Sequence, residues 1–539
     1  MQRHLQRLSQ DIFDLLIVGG GITGAAVARD AAARGLKVAL IEKGDFASAT
    51  SAHNSKLIHG GLRYLKNFEL GLVRESLRER RIWQRIAPHL VRPLPFVIPQ
   101  YDASSKDRLT LAAGLTLYDI LSFDRSWLAD PAQRLPRHSW LSRDTALAEE
   151  PVLEGEGFSG AFKYYDAQMY SPERLALACL IDADANGAVI ANYAAATSLL
   201  IRDGKIEGAQ VRDCAGDATF DVRAKRTLVA TGPWSDIFLD AALGKKTAHR
   251  ILRSKGIHLV VPQVSRKSAL TVAAEGGHFF ILPWRGRTIL GTTDTAFTGD
   301  PDTVHVTEQD IADFLAFINS HLPEVKLHRA DVIHSYAGLR PLVDEGNGDT
   351  YGASRRAALI NHREDGVEGL TSAIGGKWTT SRDLAQKIVD QLGDALGPMR
   401  PCSTATTRLP GGEIDSVLSF HAEQKRAHPD LEGVDHLARL YGTQLDAMLA
   451  AAGNRPDLLQ PLGVTGDIGA QVLFAIREEM ALTLSDVVTR RTGIGQLGKP
   501  SADVLARTAD IMAAELNWNT ERRTREIESV AEALVVAQA

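Results

Sequence analysis

The stretch Asp14 to Val18 is a short apolar run that ends in glycines, the pattern of a buried strand. From Ile22 to Arg34 the chain is mostly alanine with Thr, Val, Arg and Asp. This predicts a helix, and Gly35 stops it. Lys37 to Glu42 is apolar again and predicts a second strand. Strand, helix and strand in this order form a βαβ unit. Such a unit implies a parallel sheet and a right-handed crossover.

Further along, leucines and isoleucines among many charges predict a helix from Glu69 to Ile86. Leu109 to Phe123 is unusually apolar, broken by Thr110, Gly114 and Asp119. Short strands recur over 195–230, with a hairpin turn at Asp203-Gly204. Arg226 to Pro233 predicts another strand that runs into a glycine, and 251–300 alternates in the β manner. Asp344 to Asp349 reads as a loop rich in Gly, Asp and Asn. Ala373-Ile374-Gly375-Gly376 ends one more strand, and Thr379 to Leu392 reads as a helix. Leu409-Pro410-Gly411-Gly412 marks a boundary, beyond which the pattern is helical almost to Ala539.

A length of 539 residues suggests about two to four domains. The 61 basic and 66 acidic residues leave a charge of −5, which does not point to nucleic acid. Three scattered cysteines, Cys179, Cys214 and Cys402, form neither a metal spacing nor a disulfide framework and suit a reducing compartment. The basic start Met1 to Arg7 lacks the apolar segment of a secretory signal. No uninterrupted apolar stretch of about 20 residues is present, so no bilayer-spanning helix is expected.

Four motifs carry chemistry. Gly19-Gly20-Gly21-Ile22-Thr23-Gly24 is a G-x-G-x-x-G between strand and helix. Gly19 permits the tight turn, Gly21 lets a pyrophosphate approach the backbone, and Gly24 lets helix and strand pack closely. The helix start offers N–H groups and positive dipole charge to phosphates. Glu42 ends the second strand, placed to take ribose hydroxyls. In Ser55 to Leu65, Gly60-Gly61 suggests backbone lying flat against something planar. Arg63 and Tyr64 beside it suit an anionic substrate, and equally a loop with a surface arginine. In Ser335 to Leu342 a strand ends at Arg340 before Pro341, giving either a planar fork for carboxylate or phosphate or a structural salt bridge. Gly375-Gly376-Lys377-Trp378-Thr379-Thr380-Ser381-Arg382 repeats strand, glycines and helix start. A helix start there would stabilise negative charge growing on a bound cofactor ring, or is simply a cap. Among sixteen histidines, His258 opens a β run and is a candidate general base. No histidine–carboxylate cluster has metal spacing, and no G-x-S-x-G element is present.

In this order the motifs resemble those of the FAD-dependent glycerol-3-phosphate dehydrogenase family, within the D-amino-acid-oxidase-like flavoproteins. Segments Ile17 to Gly24, Asp30 with Arg34-Gly35, and Ser55 to Leu65 carry the likeness. So do Ala230 to Trp234, Gly291-Thr292-Thr293-Asp294, Gly338 to Leu342, Gly375-Gly376-Lys377 and Leu482 to Thr492. The resemblance spans essentially the whole chain. One departure is Ser381, where the family pattern has tyrosine. The resemblance implies an α/β fold. A Rossmann-like FAD-binding domain (about 11–100, 155–250 and 335–400) is interleaved with a β-sheet substrate domain (about 100–155 and 250–335). An all-helical domain over 401–539 follows.

The implied reaction oxidises glycerol 3-phosphate to dihydroxyacetone phosphate on FAD, with electrons passing to a membrane quinone. Arg63, Tyr64, Arg340 and Lys377 would hold the substrate. His258 is the first candidate base and His59 the second. The Gly19–Gly24 turn with Glu42 and Lys43, the segment containing Ser55, Lys56, Gly60 and Gly61, and Thr231, Gly232, Gly376, Lys377 and Thr379 would hold FAD. No metal is expected. Quinone use implies a cytoplasmic protein lying on the inner face of the cell membrane. Leu109 to Phe123, flanked by Lys106, Arg108 and Arg125, fits an interfacial helix or an ordinary core helix. A homodimer is a family expectation. An oxygen-using glycerol-3-phosphate oxidase and a catalytically silent flavin module are the competing readings.

Overall fold

In a computed structural model, residues 1–248, 250–274, 277–322, 324–343 and 357–537 are described; the loop read at Asp344 to Asp349 lies outside them. Two sheets organise the chain. The first is built on strand Ile12–Val18, which runs parallel to Val38–Ile41 on one side and to Thr219–Val229 on the other. Val189–Ala191 and Leu370–Ile374 extend it in parallel, and Ala358–Asn361 closes one edge antiparallel. Helix Ile22–Ala33 packs against Pro172–Ala185 and Ser381–Leu396 on one face. Its alanines permit this close approach, because Ala25, Ala28, Ala31 and Ala32 are fully buried. The predicted hairpin joins strands Ala194–Arg202 and Lys205–Asp213. Asp203 and Gly204 are both left-handed, at φ 49° and 71°, as a two-residue turn between twisted strands requires.

Among the described residues the second sheet has ten strands, centred on Ile251–Pro262, Val91–Tyr101 and Phe158–Met169. The strand Phe158–Met169 pairs along its length with Val91–Tyr101. The segment 155–250 therefore contributes to both sheets, and so does 11–100. The long strand ladder, which no short-range pattern reveals, outweighs a boundary drawn between them. His334–Val343 pairs antiparallel with Ile251–Pro262 over ten residues, which sets Arg340 opposite Ser254 and Tyr336 opposite His258. Helix Glu308–His321 covers one face through Ile311, Phe314, Leu315 and Ile318. Helices Leu70–Ile86 and Ser105–Leu121 cover the other through Leu77, Leu115 and Tyr118.

From Val417 onward the chain is helical, with a π-turn at Val487–Arg491. Its buried side chains, from Leu437 to Leu534, join the same core as the Ile22–Ala33 helix. Among the described residues no helix is long and apolar enough to cross a membrane.

Candidate active site

The first strand delivers the chain to the glycine turn. Gly19 is left-handed at φ 117°, and a Cβ there would stand 2.6 Å from the Ala230 carbonyl oxygen. A Cβ on Gly24 would stand 1.9 Å from the Gly19 oxygen. At Gly21 a Cβ would meet only the Ser51 hydroxyl, at 3.1 Å, so that side of the turn admits a ligand. The Glu42 carboxylate accepts from the Gly20 and Gly44 N–H groups at 2.7 and 2.9 Å. Burial raises its pKa against those bonds. Three residues on, buried Asp45 is anchored from far along the chain. Arg490 and Arg491 of the helical domain both donate to it. Despite burial, these two cations hold it below the usual carboxylate range.

The turn opens onto a cavity of about 1700 Å³, larger than the ~300–1,000 Å³ of a typical small-ligand pocket. Gly19, Glu42, Thr231 and Gly232 line one end with Ile237 and Phe238. Lys43 sits at the rim there, paired with Asp302 at 2.7 Å and lying over the Trp234 ring. Toward the other end the lining includes Ser55, Gly61 and Thr379 from the two sequence motifs, together with Gly375 and Gly376. Gly375 and Gly376 are left-handed, at φ 75° and 89°. Thr379 accepts the His59 N–H at 3.1 Å, and its carbonyl takes the indole N–H of fully buried Trp83 at 3.0 Å. The helix proper begins at Ser381, after a 3₁₀ turn.

Two groups of polar side chains meet in this cavity. In one, Arg63 lies over the Tyr64 ring and the Lys377 ammonium stands 4.7 Å from the same ring. Lys377 donates to Ser76 Oγ at 2.6 Å, and burial lowers its pKa to about 8. Burial, then Lys377, Arg63 and Arg80, bring His59 down to about 3. In the other group, Arg340 donates to Ser254 Oγ and Thr292 Oγ1, each at 2.8 Å, with Asp294 3.7 Å away. His258 stacks on Tyr336 at 4.9 Å, and its Nε2 lies 2.9 Å from Ser55 Oγ. Its Nδ1 is buried and has no hydrogen-bond partner among the described residues. Burial, then Arg340, Lys56 and His53, keep the ring well below its usual pKa, so it stays neutral near pH 7. A neutral imidazole beside fixed cations can take a proton from a bound hydroxyl.

Some expected contacts fall elsewhere. Lys56 does not line the cavity; its ammonium is bonded to Glu173 and to the Ala52 carbonyl, each at 3.0 Å. The glycine at Gly60 is required by protein, since a Cβ would meet the Tyr118 hydroxyl at 2.3 Å and Leu77 at 2.5 Å. Ser381 is buried and donates to the Trp378 carbonyl, away from the cavity wall. The residues that clamp Arg340, namely Ser254, Thr292 and Asp294, did not enter the sequence reading as site residues. The Gly291-Thr292-Thr293-Asp294 match was their signal. Among the described residues no group of His, Cys, Asp and Glu could hold a metal ion.

A glycine cradle, a carboxylate at the end of the second strand and a cavity of dinucleotide size fit FAD. The comparisons agree. A family model described as FAD dependent oxidoreductase matches residues 14–382. A second, the C-terminal domain of alpha-glycerophosphate oxidase, matches residues 402–523. The chain is 37% identical to a glycerol-3-phosphate dehydrogenase of Synechocystis, over 98% of this chain and 97% of that one. It is 30% identical to the aerobic glycerol-3-phosphate dehydrogenase of Staphylococcus aureus, over 100% and 97%. The structure of the Bacillus halodurans glycerol-3-phosphate dehydrogenase complexed with FAD superposes with a TM-score of 0.78 at 30% identity, covering 98% of this chain and 96% of that one. Fold and site thus define an FAD-dependent oxidoreductase with an appended helical domain. Within that class, the chain belongs to the FAD-dependent glycerol-3-phosphate dehydrogenase family.

Proposed function

We propose that the chain oxidises sn-glycerol 3-phosphate to dihydroxyacetone phosphate and delivers the electrons to a membrane quinone. The observation that carries this reading is that Arg63, Arg340, Lys377 and His258 line the same cavity as the Gly19–Gly24 turn. A phosphate dianion calls for several cations, and arginine offers a bidentate fork. Arg63 and Lys377 on one side, with Arg340 on the other, hold and orient the phosphate and the hydroxyls. C2 loses a hydride while its hydroxyl loses a proton, and neutral His258 accepts that proton at the imidazole. Bound FAD supplies the two-electron acceptor. The Glu42 carboxylate takes ribose hydroxyls, and Gly21 with the helix start receives the pyrophosphate.

The quinone part rests on helix Ser105–Leu121. Only Leu115 and Tyr118 of this helix are buried, which argues against an ordinary core helix. Leu109, Ile120, Phe123 and Trp127 are 57–72% exposed, and Phe68 nearby is 85% exposed. A patch of this kind, with Lys106, Arg108 and Arg125 beside it, suits the interface of a bilayer. The inner face of the helix, at Thr110, Leu111, Gly114 and Leu117, lines the cavity. An apolar acceptor leaving the membrane would therefore meet the site directly. Two measurements test the reading. Glycerol 3-phosphate added anaerobically to the FAD-loaded chain bleaches the flavin; a spectrum that stays unchanged refutes the enzyme. Turnover is faster with a quinone analogue than with oxygen; the reverse order makes the protein an oxidase.

A further inference from the structure

Behind the wall of the cavity that carries Arg63, a buried polar network ends on the backbone of Gly60. Tyr118 stands on helix Ser105–Leu121 and Asp166 on strand Phe158–Met169. The Tyr118 hydroxyl accepts the Gly60 N–H at 3.0 Å and donates to the Asp166 carboxylate, 2.7 and 2.9 Å from its two oxygens. Asp166 also accepts the Gly60 N–H, at 3.3 Å. Arg80 of helix Leu70–Ile86 donates to Asp166, to Ser122 Oγ at 2.7 Å and to the Tyr165 carbonyl at 3.1 Å. Burial, then the carboxylate, push the Tyr118 hydroxyl well above its usual pKa, so it keeps the proton that it donates.

Tyr118, Asp166, Arg80 and Ser122 are each at most 3% exposed. None of them lines the cavity, whereas His59, Gly61, Leu62, Arg63 and Tyr64 do. Around them the core is apolar, with Leu77, Leu115 and Tyr164 packed beside Tyr118. A buried ion pair is a poor way to fill such a space, because apolar side chains of the same volume serve stability as well or better. What this network holds is a turn that would otherwise be loose. Two successive glycines have the widest backbone freedom, and Gly61 is left-handed at φ 75°. The N–H groups of the turn are fixed in succession, that of His59 on Thr379 Oγ1 and that of Gly60 on Tyr118 and Asp166. The Gly61 carbonyl then accepts the Tyr64 N–H at 3.0 Å and opens the 3₁₀ turn Leu62–Asn67, which carries Arg63.

We propose that Tyr118 and Asp166 are positioning residues for the reaction: through the Gly60 N–H they set where Arg63 meets the substrate phosphate. The inference rests on the function proposed above, in which Arg63 holds that phosphate. Tyr118 lies outside the cavity and acts only through the turn. Without its hydroxyl, the Gly60 N–H is left with the longer bond to Asp166, while Asp166 keeps Arg80. The turn then gains freedom, and Arg63 has to be ordered each time substrate binds.

The test is a double-mutant cycle on the FAD-loaded full chain, read by dye-coupled turnover in the parent, Tyr118→Phe, Arg63→Gln and the two together. We expect Tyr118→Phe to raise KM for glycerol 3-phosphate about tenfold while kcat changes less than about twofold. In the Arg63→Gln background the same change should raise KM little further. Flavin content and thermal midpoints check that each variant is folded. If Tyr118→Phe does not fold, Ser122→Ala, which loosens Arg80 at one remove, takes its place in the cycle with a smaller rise expected. An equal rise in KM with and without Arg63, or no rise in a folded variant, overturns the positioning role. So does a loss of kcat and flavin with KM unchanged, which is the mark of a merely structural residue. A parent chain that does not oxidise glycerol 3-phosphate refutes the proposed function instead. The cycle is then read from calorimetric dissociation constants for inorganic phosphate, where the same non-additive pattern supports positioning and an additive one overturns it.

Discussion

Replacing Lys377 by methionine should make the protein more stable and a poorer enzyme. Its ammonium is largely buried, and burial lowers its pKa to about 8 from an ordinary 10.5. At ~1.36 kcal/mol per pH unit, that gap corresponds to about 3 kcal/mol against the folded state at pH 7. The sign follows from proton counting. Below pH 8 both folded and unfolded chains carry the proton, and the folded chain bears the full cost. Between pH 8 and 10.5 the folded chain sheds the proton first, and the cost is relieved. Methionine is unbranched and of similar reach, so it can occupy the space against the Tyr64 ring. Ser76 keeps its bond to the Leu72 carbonyl at 2.7 Å, so no new polar group is orphaned. The lost Ser76–Lys377 bond reduces the gain to about 1–2 kcal/mol. Catalysis moves the other way. On the proposed role of Lys377 at the substrate phosphate, removing its charged donor costs about 1.5–3 kcal/mol, or about 10–150-fold in kcat/KM. The assay compares denaturation midpoints of the FAD-loaded parent and Lys377→Met at pH 7 and at pH 10.5 or above, beside dye-coupled kinetics at pH 7. A variant less stable than its parent at pH 7, or a gain undiminished at high pH, would refute the electrostatic account. Unchanged kcat/KM would remove Lys377 from the substrate site.

Gly24→Ala should yield colourless protein, because its methyl group would overlap the Gly19 carbonyl oxygen; flavin content per chain after purification reads this directly. Arg340→Ala should raise KM strongly while FAD stays bound, and loss of flavin with unaltered substrate affinity would reassign the residue. His258→Ala should lower kcat by about 10²–10⁴-fold with FAD retained. In the parent, kcat should show no imidazole titration near pH 6.5, since His258 is held well below its usual pKa; a step there would contradict a neutral base. Leu109→Glu with Ile120→Glu should abolish sedimentation with vesicles and leave turnover with a soluble dye intact.

Much of this was legible in the sequence because the physics is local. The Gly19–Gly24 turn, its helix and Glu42 fall within one βαβ unit, and the hairpin at Asp203-Gly204 is set by two adjacent residues. What the sequence hid depends on distant partners. Lys56 reads as a cofactor contact, yet it bonds Glu173, 117 positions away. Gly60 suggests a flat ligand, yet the atoms that require it belong to Tyr118 and Leu77, on two different helices. Arg340 stood open between a salt bridge and an anion fork. In the structure it has features of both, clamped by Ser254 and Thr292 with Asp294 near. Its partners arise from strand register, which one-dimensional pattern does not encode.

The link from Asp45 to Arg490 and Arg491 has a consequence for how the protein is made. The loop that follows Glu42 is synthesised 445 residues before its first anchoring arginine. Until the helical domain docks, Asp45 keeps the Asn192 amide but lacks the cations that neutralise it, so the loop after Glu42 is held less firmly. A chain that stalls short of Arg490 would thus hold its flavin poorly. Yellow colour in a newly made molecule reports that translation has passed Arg491.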